Sequence, residues 1–223
     1  NELSAVLTEI GDYRKEERPR ITGYEFAVLC LASYCCPKDL ILPKLKETAE
    51  ELKTRTPEPK GTYRCRVAMV GSEIDDPQLI KLAEECGLVV VADRYCFGSL
   101  PGRQVIELND EEDALTQVCR YYMQSGQCPR FLTTEKVNER HAYVDRICKD
   151  YHADGIILEQ IKFCDYWGYG RAFMNAVMQH QYGYHVLSID RPYNVGQSGQ
   201  LRTRIQAFIE AVEIKNIQKE KGE

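Results

Sequence analysis

The sequence predicts an open α/β domain, a four-stranded parallel sheet with helices between its strands, entered through a helical segment. Three observations predict it. Four β-rich apolar runs, Val67–Val70, Leu88–Ala92, Gly155–Leu158 and His185–Ile189, recur along the chain. Apolar stripes at helical spacing separate them, and strands alternating with helices imply parallel pairing through right-handed crossovers. A break with two prolines and a glycine, Thr54-Arg-Thr-Pro-Glu-Pro-Lys-Gly61, divides this pattern from what precedes it. The expected organisation is a helical connecting segment over residues 1–60 and an α/β domain, Rossmann-like or flavodoxin-like, over residues 61–223.

Residues 1–53 read as helical. Phe26-Ala-Val-Leu-Cys-Leu31 is a packed helix, and a second stripe runs through Ile41, Leu45, Ala49 and Leu52. Beyond the first strand, Asp76 with Pro77 supplies a cap and a first-turn proline, and Gly87 closes that helix. Asn109 and Glu112 read as a capping-box pair ahead of Ala114, Leu115, Val118, Cys119 and Tyr122. Further stripes are Val137, His141, Val144, Cys148 and Tyr151; then Phe173, Met174, Val177 and Met178; then Leu201, Ile205, Phe208, Ile209 and Val212. The polar tail from Lys215 to Glu223 is expected to fray.

The 223 residues carry 29 Lys+Arg against 34 Asp+Glu, a formal net charge of -5, which argues against a general nucleic-acid binder. A hydrophobic fraction of 43% suits a globular core. The longest apolar run, Phe26 to Cys36 with Ser33 inside it, falls short of the ~20 residues of a membrane span. No basic-then-apolar leader opens the chain, so the expectation is a soluble, cytoplasmic protein. The 10 cysteines include no Cys-x-x-Cys, which removes zinc ribbons and thioredoxin-type motifs and leaves reduced thiols, most of them core residues.

In an open parallel sheet, ligands bind outside the carboxyl ends of the strands. Four segments leave those ends: Gly71–Asp76, Asp93–Ser99, Glu159–Asp165 and Asp190–Gln197. Two of them hold a cysteine in a polar, aromatic loop, Cys96 and Cys164. The bland reading of either is a small buried hydrophobe. Cys164, however, precedes a helix N-terminus, a place that favours thiolates, so an iron–sulfur ligand or a redox-active thiol is the sharper reading. Two cysteines do not close a four-thiolate site. Spacing leaves these readings open.

The order of four motifs carries a resemblance. Asp93-Arg-Tyr-Cys-Phe-Gly-Ser99, Ala153-Asp-Gly-Ile-Ile157, Lys162-Phe-Cys-Asp165 and Gly199-Gln-Leu-Arg-Thr-Arg-Ile-Gln-Ala-Phe-Ile-Glu210 follow one another in the chain. Between Thr22 and Val212 the chain thereby resembles the 2-hydroxyacyl-CoA dehydratase and benzoyl-CoA reductase family, in its 2-hydroxyglutaryl-CoA dehydratase D-component type. Subunits of that family have two related α/β domains; this chain resembles the C-terminal one with the connecting helices before it. The resemblance implies a [4Fe-4S] cluster at an interdomain cleft, where an acyl-CoA thioester docks. It also implies a homologous second subunit and a separate ATP-hydrolysing iron–sulfur activator that injects one electron. In the dehydratases a ketyl radical then permits loss of the hydroxyl; in the reductases electrons enter an aromatic ring.

On this resemblance Cys164 is the C-terminal-domain ligand, and Cys96 lies in a family motif at the same edge. The remaining ligands must come from outside this chain, which alone is expected to be inactive. Ser99 and Gln200 are expected as polar liners of the cleft; Arg202 and Arg204 read first as solvated ion pairs on a helix surface and second as partners of CoA phosphates. The primary expectation is (R)-2-hydroxyacyl-CoA dehydration, with aromatic acyl-CoA reduction next and a non-catalytic iron–sulfur or thiol carrier as the rival. Asp165 is expected to turn from Cys164 and cap the next helix. His141 reads as a core histidine, His152 as a surface one, and His180 and His185 lack metal spacing. Gly168-Tyr-Gly170 lacks a dinucleotide fingerprint's third glycine, since position 173 is Phe.

Overall fold

The computed structural model describes all residues except 58–61, 73–74, 100–104, 132, 194–198 and 222–223. Among the described residues, eight helices and four strands follow in order: α1 (Glu2–Asp12), α2 (Gly23–Cys35), α3 (Lys38–Thr54), β1 (Cys65–Gly71), α4 (Gln78–Glu85), β2 (Leu88–Arg94), α5 (Ala114–Ser125), α6 (Thr134–Asp150), β3 (Gly155–Ile161), α7 (Asp165–His180), β4 (His185–Arg191) and α8 (Gly199–Lys221). The strands form one parallel sheet in the order β2-β1-β3-β4. The chain steps outward from β1 to β2, then crosses back over β1 to β3. That reversal places a topological switch point between the carboxyl ends of β1 and β3.

Both faces of the sheet are covered, which is why its strands read as nearly unbroken apolar runs. Val67 and Met69 point to the face packed by Leu79 and Ala83 of α4 and by Ile205, Phe208 and Ile209 of α8. Ala68 and Val70 point the other way, onto Val144 and Cys148 of α6 and Trp167, Met174 and Met178 of α7. Each fully buried large side chain here is worth about 1.5–3 kcal/mol against exposure. Gly71 is required by this pairing: a Cβ there would strike the backbone oxygen of Glu159 on β3.

The N-terminal helices build a third apolar cluster from Ile10, Phe26, Cys30, Leu45 and Leu52. Thr22 caps α2 in a full capping box with Glu25. The same helix end is held from outside, because the Glu84 carboxylate accepts from Gly23 N at 2.7 Å and Tyr24 N at 3.1 Å. A carboxylate at a helix N-terminus meets its positive end. Through this contact the segment before the Pro-rich break packs on α4 and β2. Of that break, α3 ends at Thr54, and residues 58–61 lie outside the described residues.

Three local expectations are corrected. Asn109 and Glu112 do not cap α5; Asp113 does, accepting from Thr116 N, while Asn109 turns onto Glu111 N. Asp113 stands immediately before the first helical residue, and Asn109 stands too early to reach the open amides. The stripe of α5 does not pack on the sheet either. Leu115 is 72% and Met123 70% exposed, Cys119 is exposed, and Gln117 is the buried residue, bonding Asn109 and Glu112 carbonyls. The space above that face is already filled by α6 and α7. Finally, α8 continues to Lys221 rather than fraying at Lys215, consistent with the strong helix formers Lys, Gln and Glu in its last turns.

Candidate functional site at the carboxyl edge

β3 delivers its last residues to the switch point. Lys162 N bonds Arg191 O at 2.8 Å, and Cys164 N bonds Ile161 O at 3.1 Å, so the chain reverses tightly into α7. Phe163 takes the left-handed conformation at φ 70° and stands 97% exposed. A bulky residue held there is strained, and the turn around it is what aims the next residue. Cys164 is the N-cap of α7, half-buried, and its side chain makes no capping bond. Its carbonyl instead accepts from Gly168 N at 2.9 Å. Asp165 is therefore the first helical residue, exposed, and not the cap that was expected.

Cys96 follows β2 in a turn organised by Asp93. The carboxylate pairs with Arg14 at 2.9 Å and accepts from Ser99 N at 2.7 Å, while Ser99 Oγ donates to Asp93 O at 2.7 Å. Arg14 lies over the Phe26 ring at 3.9 Å, so the N-terminal helices are tied directly to this turn. Cys96 is half-buried, and its carbonyl accepts from the Tyr34 hydroxyl at 3.1 Å. Ser99 is buried with its hydroxyl committed to closing the turn. Cys96 and Cys164 thus share one edge of the sheet, as expected, but β1 separates their strands, a spacing of about 10 Å. Among the described residues no group of three or more His, Cys, Asp or Glu side chains is placed to hold a metal.

Beneath the edge lies a buried polar cluster that sequence reasoning missed. Glu159 and Arg191, at the ends of β3 and β4, are both buried with Oε1 and Nε 2.9 Å apart. Ser72 Oγ donates to Glu159 Oε2 at 3.3 Å and accepts from Ile161 N at 2.7 Å. The signal available was a charged residue directly after Ile-Ile-Leu158. Burial pushes the Glu159 carboxyl up to about 7, with Arg191 and Ser72 opposing. The folded protein therefore holds a proton that the unfolded chain has lost between its ordinary value near 4.5 and about 7. This contribution to stability is complete below the ordinary value and is lost as the pH rises through about 7, to about 3 kcal/mol. Urea unfolding of Glu159→Gln across that window should lack the downward slope seen in the parent. Identical slopes would show that Glu159 does not titrate there.

Two more buried cations sit nearby. Arg94 is fully buried over the Trp167 ring at 5.1 Å, donates to the side chain and carbonyl of Gln127, and is pulled down to about 10 by burial. Arg140 of α6 is 3% exposed. Gln200 is exposed in the first turn of α8. Arg204 donates to Ser188 O, and Arg202 pairs with Glu85 across α4. His141 is buried as expected, and His152 exposed.

The model of the 2-hydroxyglutaryl-CoA dehydratase D-component family matches residues 1–212. This chain belongs to that family. Among curated relatives of this chain is the "(R)-phenyllactyl-CoA dehydratase beta subunit" of Clostridium sporogenes, 29% identical over 182 residues, 81% of this chain and 46% of that protein. Another is the "Putative dehydratase subunit YjiM" of Escherichia coli (strain K12), 23% identical over 175 residues, 77% of this chain and 42% of that protein. The chain thus spans less than half the length of these relatives. Its fold has the expected α/β class, and no helix among the described residues is long and apolar enough to cross a membrane.

Proposed function

We propose that this chain is part of a cytoplasmic enzyme that dehydrates an (R)-2-hydroxyacyl-CoA by the ketyl-radical route, and that Cys164 supplies one thiolate to its [4Fe-4S] cluster. The observation that carries the reading is the placement of Cys164. It is a half-buried thiol at the switch-point edge, engaged in no capping bond, on a turn that supports it from both sides. The donor set fits a partial site: single thiols at one edge suit a cluster completed by residues outside this chain. Such a cluster, once bound, supplies single-electron reduction of the thioester.

The chain's own residues then position and exclude. Lys162 and Gly168 fix the backbone on either side of Cys164, and Asp93 with Ser99 fixes the Cys96 turn, where Cys96 is the second candidate thiol. Gln200 and Arg204, at the start of α8, are the polar groups offered to the thioester and the CoA phosphates. A homologous second subunit and an ATP-dependent activator complete the system. Dehydration is preferred over ring reduction because both curated relatives are named as dehydratase components.

The full-length protein, purified anaerobically with its partner subunit, should be brown, contain iron and show the broad absorbance of an iron–sulfur cluster. With activator and ATP it should eliminate water from 2-hydroxyacyl-CoA esters. Reduction of aromatic CoA esters without dehydration would replace the reaction. A colourless, iron-free protein would favour a non-catalytic scaffold or carrier.

A further inference from the structure

Between α6 and α7, on the sheet face away from α4 and α8, lies a cavity of about 440 Å³, within the range of small-molecule sites. Its walls include Pro129, His141, Trp167, Tyr169 and Phe173, and its polar end is Arg140. Flat rings dominate: His141 and Phe173 lie with centroids 5.6 Å apart, tilted by 32°. Tyr169 and Phe173 stand 79% and 58% exposed, so they rim the opening, whereas Trp167 and His141 are buried.

Arg140 is the informative residue. It is 3% exposed, and its Nη1 donates to Cys128 O at 3.1 Å and Phe131 O at 2.9 Å. Among the described residues Nε and Nη2 have no acceptor, and no carboxylate lies within ion-pair reach of the guanidinium. A buried charge ordinarily has a counter-charge. Arg94, the second buried guanidinium behind Trp167, also lacks a carboxylate and is itself destabilised by Arg140. His141 offers no counter-charge, since an imidazole is neutral or cationic, and burial followed by Arg140 lowers its pKa from the ordinary value. Nε and Nη2 form the side-on edge of a guanidinium, the pair that matches both oxygens of one carboxylate.

The geometry points to a binding site for a small aromatic carboxylate, its ring against Trp167, Tyr169 and Phe173 and its carboxylate on the free edge of Arg140. The site is independent of the cluster assignment, since no cysteine lines it.

The test uses the full chain and two fluorescent probes of equal shape, 2-naphthoate and its neutral amide, 2-naphthamide. Saturable binding of one naphthoate is expected, about ten-fold or more tighter than the amide, as charge-assisted hydrogen bonding at a desolvated site gives. Arg140→Gln should erase that preference and leave both probes bound as the amide is. Phe173→Ala, at an exposed ring whose loss the fold tolerates, should weaken both probes alike. Should Arg140→Gln fail to fold, Arg140→Lys, which keeps the charge but not the two-pronged edge, should narrow the preference. Absence of saturable naphthoate binding, equal affinities for acid and amide in the parent, or a preference surviving Arg140→Gln would each overturn the assignment.

Discussion

Cys164→Ser in the complete enzyme is expected to remove cluster iron and abolish turnover while leaving the fold unchanged. A serine hydroxyl is a hard donor that stays protonated near neutral pH and replaces a thiolate poorly on iron. The side chain is half-buried, makes no capping bond and packs only at the margin of the apolar cluster under α6 and α7, so the isosteric change to serine should cost little stability. The matched control is Cys148→Ser on α6. Cys148 is buried against the sheet, with its thiol pushed up to about 12 by burial, so it is held as a neutral core residue. An unpartnered hydroxyl there costs about 1–3 kcal/mol and leaves iron content alone. Iron analysis and unfolding curves on the two variants should show opposite patterns. Full iron in Cys164→Ser would remove this cysteine from the ligand set.

Asp93→Ala is expected to cost about 3–5 kcal/mol, the usual penalty for leaving one member of a buried ion pair uncompensated. Arg14 would keep its charge beside the Phe26 ring with its carboxylate gone, and Ser99 N would lose its acceptor. Because the carboxylate also shapes the turn carrying Cys96, alkylation of Cys96 should become faster in the variant. Replacing Arg14 by Met in the same chain should recover much of the loss, since the stranded charge is then removed. Chemical unfolding measures both effects. A loss under about 1 kcal/mol would mean that water reaches Arg14 and screens it.

Much of this architecture is legible along the chain because it is local. The four apolar runs became the four strands, and the stripes at Val144 and Cys148, at Met174 and Met178, and at Ile205 and Ile209 became the helix faces that cover them. Gly87 does take a positive φ of 98° beyond α4, as its residue type suggests, whereas Pro77 holds the N-cap position expected of Asp76, which still accepts from Gln78 N. The edge position of Cys96 and Cys164 was also readable, since a strand's carboxyl end is set by the direction of the chain. Where two residues competed for one local role, the signal was weaker. Asp113 rather than Asn109 caps α5, and Cys164 rather than Asp165 holds the N-cap of α7, because a cap is decided by one residue of register.

What the sequence determined by itself is therefore the set of elements, their order and which thiols reach the ligand-facing edge, all consequences of periodicity and turn chemistry within a few residues. The tertiary structure alone decided which charges meet. Arg14 finds Asp93 across 79 positions and Ser72 finds Glu159 across 87, because crossovers bring distant strand ends side by side. It also decided what is left over. The apolar side of α5 stays in water because α6 and α7 occupy the sheet, and the edge of Arg140 stays free because the loop carbonyls engage only one of its nitrogens. Burial and pairing are properties of neighbours in space, and local periodicity does not specify those neighbours.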